Sequence, residues 1–153
     1  MNGKLLPAAL ALVTDQFACE RIIKASRLVA DLNKTDELFV LNIAKPDASP
    51  NPKALEHLFG VAKEYNAQMA LQFSNSVESA VIHFIREHHV ICVVTGIPEN
   101  MDSVLVHLWE RLPNTMFYTV SPKGILREVM EPVDSFPRVK GFYLRQGIQA
   151  GEL

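Results

Sequence analysis

The side chains with chemical potential in this chain stand at the ends of apolar runs. Thr14, Asp15 and Gln16 follow the run Ala8–Val13, and Gly96 and Ile97 follow "VICVVT". A carboxylate at the end of a buried strand can cap the next helix or contact a ligand, and Asp15 is a candidate for both. A glycine between a strand and a helix lets backbone N–H groups close on a phosphate, but it also serves as a plain turn. The stretch "GIPENMDS", residues 96–103, opposes the phosphate reading. Pro98 has no N–H, Glu99 brings a carboxylate to where a triphosphate would sit, and Asp102 adds a second negative charge. Asp102 also stands in position to cap the helix that follows.

The remaining reactive groups do not assemble into a catalytic pattern. His83 and Glu87 are four apart and share one helical face, yet no third metal ligand accompanies them. With His88 and His89 they read as a solvated helix end, where cations suit the negative pole of the dipole, so no metal site is expected. Cys19, in the first turn of a helix, reads either as a thiol made more acidic there or as a small buried side chain. Cys92, inside a strand, reads as core. The two cysteines form no metal-ligand or redox spacing, which fits a reducing, cytoplasmic setting. There is no P-loop, G-x-S-x-G elbow, H-E-x-x-H or paired-carboxylate motif, so no catalytic residue is expected. A phosphoacceptor receiver domain would share the acidic end of strand one and Lys123. Here, however, the third strand ends in "SNS" where its aspartate should stand.

The elements that must position these residues alternate regularly. Ala8–Val13 is a continuous apolar strand. From about Gln16, Ala18, Ile22, Ala25, Val29 and Leu32 fall on one helical face. Strand two is "ELFVLNIA", interrupted by Asn42. Asn51 and Pro52 are the cap and first position of a second helix, burying Leu55, Leu58, Phe59, Ala62 and Tyr65. Strand three is "QMALQF". Asn75 with Glu78 forms a capping-box pattern for a third helix, which buries Val77, Ala80, Val81, Phe84 and Ile85. Strand four is "VICVV", a fourth helix covers about Ser103–Leu112, and strand five is "TMFYTV". This predicts an α/β fold, a doubly wound open parallel five-stranded sheet. Strands one and four are unbroken apolar runs and belong in the middle; strands three and five alternate and belong at the edges. The implied order is 3-2-1-4-5. The winding reverses between strands one and four, so a ligand cleft is expected beyond their carboxyl ends. Thr14, Asp15 and Gln16 would form one side of it, and Thr95, Gly96 and Ile97 the other.

Composition bounds the function class. The chain has 153 residues, 48% apolar and 21% charged, which suits one well-packed domain rather than two. A formal net charge of −2 gives no global attraction for nucleic acid or an anionic membrane. Leu5–Val13 is too short and too weakly flanked for a secretion signal and reads better as a buried first strand, and no apolar stretch is long enough to span a membrane. Residues 1–121 read as the α/β domain. Residues 122–153 read as a C-terminal extension too apolar for a linker and too rich in proline and glycine for one long helix, packing on its own domain or on a partner subunit.

Over roughly Leu10 to Ser121 these residues resemble the universal stress protein family, whose fold is Rossmann-like. "LALVTDQFACERIIKASRLVADL" is similar to its first strand, strand-end aspartate and first helix. "DELFVLNIAKPD" and "AQMALQFSNSVESAVIHFIREHHVICVVTG" are similar to the second strand and to strand three through strand four. "CERIIKASRLVADL" also resembles the universal-stress-type domain of potassium-sensing histidine kinases. The family divides into ATP binders and non-binders. In the binders the strand-one aspartate, a strand-two backbone position and a loop G-x2-G-x9-G-[ST] hold the nucleotide. Residue by residue, the resemblance assigns Asp15 to the aspartate, Ile43 to the strand-two position and Gly96 to the first glycine. Glu99 replaces the second glycine, and aligning back from strand five puts Ser103 and Val104 at the end of a motif that is several residues too short.

The resemblance therefore implies a stress-response or signalling domain that binds without turnover and has a degenerate nucleotide loop. The alternative is an adenine-nucleotide sensor using Thr14, Asp15, Gln16, Ile43, Gly96, Ile97 and Ser103. No cofactor is expected in the first case, and ATP or AMP in the second. The expected partner is a second copy, giving a homodimer through strand five and the extension, with a protein signalling partner as a further candidate.

Overall fold

The computed structural model describes residues 6–100 and 102–130, and the backbone of three short strands within 138–149. Its elements are β1 (Ala8–Val13), α1 (Glu20–Leu32), β2 (Glu37–Ala44), α2 (Pro52–Glu64), β3 (Gln68–Phe73), α3 (Val77–Glu87), β4 (Val90–Gly96), α4 (Val104–Arg111), β5 (Met116–Val120) and β6 (Ile125–Met130). β1 to β5 are parallel and run in the order β3-β2-β1-β4-β5, as the strand patterns predict. No helix among the described residues is long and apolar enough to cross a membrane.

Two cores hold the layers together. On one face, Ala9, Ala11, Val40 and Val94 pack with Ile22, Ile23, Val29 and Leu58 from α1 and α2. On the other, Leu10, Leu41, Val93 and Phe117 pack with Val81, Phe84, Val106, Leu108 and Trp109 from α3 and α4. β1 is covered on both faces, which is why its sequence carries no polar alternation. Asn42, the polar interruption of β2, is 4% exposed. Its side-chain amide donates to the Val13 carbonyl at 3.0 Å, which satisfies it inside the sheet.

The helix starts hold three corrections. Asn51 caps α2 as expected, accepting from Lys53 and Ala54 N–H with Pro52 at the first position. α3, however, is capped by Ser76, not Asn75: the Ser76 hydroxyl accepts from Ser79 N–H at 3.3 Å. α4 is capped by Ser103, not Asp102, through Leu105 N–H at 3.2 Å. α1 is entered through a 3-10 turn, Phe17–Cys19, without any side-chain cap, so Asp15 does not cap it. At the other ends, α1, α2 and α3 each stop near a left-handed non-glycine residue: Lys34, Asn66 and His89. Phe59, expected inside, is 44% exposed, while Val61 is buried.

The far edge of the sheet also differs from the sequence expectation. β6 pairs antiparallel with β5, Val120 opposite Leu126 and Tyr118 opposite Glu128, so β5 is not an edge. β6 in turn pairs with β8 (Phe142–Leu144), which pairs with β7 (Arg138–Val139), and with β9 (Ile148–Gln149). Alternation misled because Thr119 counts as polar yet is fully buried; its branched body packs as valine does. The turn is legible in hindsight as Ser121–Pro122–Lys123–Gly124. Gly124 adopts φ 83° and donates to the Ser121 carbonyl at 2.9 Å.

Candidate functional site: the cleft between β1 and β4

The carboxyl ends of β1 and β4 open into a cavity of about 490 Å³. Its walls are mainly apolar. Leu12 and Ile43 come from the sheet, Val77 and Val81 from α3, Val104, Leu105 and Leu108 from α4, and Ile22 from α1. Polar groups are few: Thr14, Gln16, Thr95, the Cys19 thiol, and two charges, Arg21 and Glu99. Such a lining suits a compact, flat ligand with a small number of polar handles. Among the described residues there is no cluster of three His, Cys, Asp or Glu side chains able to hold a metal ion.

Five of the seven residues singled out in the sequence line this cavity: Thr14, Gln16, Ile43, Gly96 and Ile97. Asp15 and Ser103 are not among the lining residues. The Asp15 carboxylate accepts from Asn51 N–H at 2.7 Å and so holds the start of α2 against the β1 end. Ser103 is occupied as the α4 cap. Gly96 ends β4 without a left-handed φ, which among the described glycines belongs to Gly124. A methyl group at Gly96 would meet Arg21 Nη2 at 3.5 Å and Ile22 Cδ1 at 3.8 Å, both ordinary contacts. Neither the turn nor the packing therefore demands glycine there.

The loop from Gly96 to Ser103 spends its polar groups on itself. The Asn100 side chain accepts from Asp102 N–H at 2.9 Å, and the Asn100 carbonyl accepts from Ser103 N–H at 3.3 Å. The Thr95 hydroxyl donates to the Gly96 carbonyl at 2.6 Å. Pro98 has no N–H to offer, and the N–H groups of Asp102 and Ser103 are spent on Asn100 within the loop.

The charged cavity-lining residue that sequence reasoning missed is Arg21. Its Nε donates to the Ser121 carbonyl at 3.1 Å and its Nη1 to the Ala18 carbonyl at 2.8 Å, which fixes the guanidinium at the cavity wall. A signal for it exists. Arg21 lies three residues after Ala18 and four before Ala25, so it borders the buried stripe of α1 in the first turn, where that helix meets the strand ends. Cys19 is buried, with Sγ 3.4 Å from the Thr14 hydroxyl. Cys92 lies in the core below, and burial pushes its thiol up to about 12.

This is a doubly wound α/β domain with an apolar cleft at its topological switch point. No protein-family model and no curated protein sequence matches the chain. Solved structures do. One is a universal stress protein from Archaeoglobus fulgidus, with TM-score 0.53 and 15% identity over 69% of this chain and 87% of that one. A second is a universal stress protein in complex with cAMP, with TM-score 0.55 and 14% identity over 71% of this chain and 91% of that one. The chain has the universal stress protein fold.

Proposed function

We propose that this chain is a non-catalytic binding domain of the universal stress type, whose β1–β4 cleft takes a compact adenine ligand carrying at most one phosphate. The observation that carries this reading is the pairing of an apolar cavity of about 490 Å³ with a loop that has no N–H at Pro98, lines the cavity with Glu99, and spends the N–H groups of Asp102 and Ser103 on Asn100. An aromatic base gains from burial against Leu12, Ile43, Val81 and Leu108, whereas a triphosphate would find Glu99 and Pro98 instead of a glycine cradle. The cAMP held by one fold neighbour supports the choice of ligand class. Among the described residues lining the cavity the side chains able to exchange a proton near neutral pH are Glu99 and the Cys19 thiol, with no histidine, lysine or aspartate beside them. Titration calorimetry with adenosine, AMP, cyclic AMP and ATP tests it. AMP or cyclic AMP is expected to bind at least about tenfold more tightly than ATP; no heat with any of the four overturns the reading.

We further propose a homodimer, but not one in which a partner strand adds to β5: β6 covers that side and is itself paired with β8 and β9, so a second copy would meet the sheet beyond β6. The dimer would present its signalling surface there. Light scattering on the full chain and on a chain ended at Ser121 tests this; an unchanged oligomeric state counts against it.

A further inference from the structure

We infer that Arg21 supplies the anion contact of the cleft, in place of the glycine loop that residues 96–103 do not form. The inference rests on the ligand reading above and adds to it the residue that holds the charge and the charge it selects. Arg21 is the one cation among the described residues lining the cavity. Two of its three nitrogens are committed: Nε to the Ser121 carbonyl and Nη1 to the Ala18 carbonyl. These bonds hold the planar group in one orientation, so little side-chain entropy is lost when an anion meets it. The third nitrogen, Nη2, points toward the end of β4, since a methyl at Gly96 would lie 3.5 Å from it. A hydrogen atom stands there instead, and an anionic oxygen can occupy the space above the strand end. Arg21 makes no ion pair with a described carboxylate, Glu99 included.

The charge balance selects the ligand class. One guanidinium and one carboxylate, Glu99, leave the cavity wall neutral. A monoanionic phosphodiester places its charge on Arg21 with the fewest oxygens near Glu99. A phosphomonoester follows, and a triphosphate brings several negative charges to one cation with the Glu99 carboxylate on the same wall. The same arginine connects the cleft to the β5–β6 hairpin, because the Ser121 carbonyl accepts from both Arg21 and Gly124. An anion drawn to Nη2 therefore acts on a side chain that also holds the turn leading into β6.

The experiment is calorimetry on wild type, Arg21→Met and Arg21→Lys with three probes: adenosine, AMP and cyclic AMP. Arg21→Met is expected to weaken cyclic AMP and AMP by at least about tenfold, the size of one charged hydrogen bond, and to leave adenosine unchanged. Arg21→Lys is expected to recover part of the loss. Unchanged adenosine binding shows the variant site to be folded. If Arg21→Met binds cyclic AMP and AMP as wild type does, the inference is overturned while the ligand reading stands. If wild type binds none of the three probes, both are overturned.

Discussion

The two lips of the cleft are built on opposite plans. The β1 lip, Thr14 to Arg21, is tied to distant parts of the chain: Asp15 to the start of α2, and Arg21 to the β5–β6 turn. The β4 lip, Thr95 to Ser103, is tied to itself beyond its ladder with β5: the Thr95 hydroxyl bonds Gly96, and the contacts of Asn100 and Ser103 stay within residues 100–107. A lip that satisfies its own donors has little to give a ligand. A lip whose side chains are braced from outside can present one group in a fixed place. On the proposed reading an anion is held by one side chain after β1 and not by backbone N–H groups after β4.

Below the lips the two halves should be equivalent, and this is the comparison's largest test. Ile22 under the β1 lip is 3% exposed and Leu108 under the β4 lip is fully buried. Truncating either to alanine is expected to cost about 2–5 kcal/mol, because a buried methyl-bearing side chain leaves both lost transfer energy and a cavity. Denaturant unfolding measures both. A loss at Leu108 far below that at Ile22 would mean that the β4 half is poorly packed, and the contrast would then lie in the floor and not in the lips.

The next effect is electrostatic and belongs to the floor between the lips. Cys92 is fully buried, and its thiol is pushed up to about 12. Above the unfolded value, near 9, the unfolded chain releases this proton while the folded chain keeps it. The folded state then binds more protons, so stability falls as pH rises. The contribution is complete below pH about 9 and is lost toward pH 12, at about 1.4 kcal/mol per unit from this group. Cys92→Ala should flatten that limb of the stability profile relative to wild type. An equally steep limb in the variant would assign it elsewhere.

Much of the fold was legible because it rests on burial, and burial writes a period into the sequence. Ala8–Val13 and "VICVV" are unbroken because helices cover both their faces, and this alone places them at the centre. The limits of that signal are equally physical. Thr119 breaks the period chemically but not sterically, so β5 looked like an edge. Asp15 has the right type and position for a ligand, yet its partner, Asn51, comes from a loop 36 residues away, which no local pattern reveals. Arg21 was hidden for the opposite reason: an arginine in a first helical turn is ordinary, and only its braces at Ala18 and Ser121 distinguish it.

The lips themselves separate at the level of about 1 kcal/mol. Ser103→Ala removes the α4 cap and is expected to cost about 1 kcal/mol, whereas Asp102→Asn should be close to neutral. Asp15→Ala removes the acceptor for Asn51 N–H and should cost a similar amount. The consequences differ in place. Amide hydrogen exchange should quicken around α4 for Ser103→Ala, but at the start of α2, across the cleft, for Asp15→Ala. Local quickening in both variants would dissolve the distinction between a self-tied and an outwardly braced lip.

The smallest expected effect is the one most specific to ligand charge. Glu99 is exposed at the rim, so its field is screened by water and salt. Glu99→Gln should leave stability unchanged and tighten ATP about two- to threefold, while adenosine is unmoved. AMP should fall between them, and the gain should shrink as salt is raised. The change stays small because removing a carboxylate does not create donors: Pro98 still lacks an N–H, and Asn100 still holds the N–H groups of Asp102 and Ser103. A gain of a hundredfold for ATP would show that charge alone had kept the triphosphate out, and that the β4 lip could still act as a cradle.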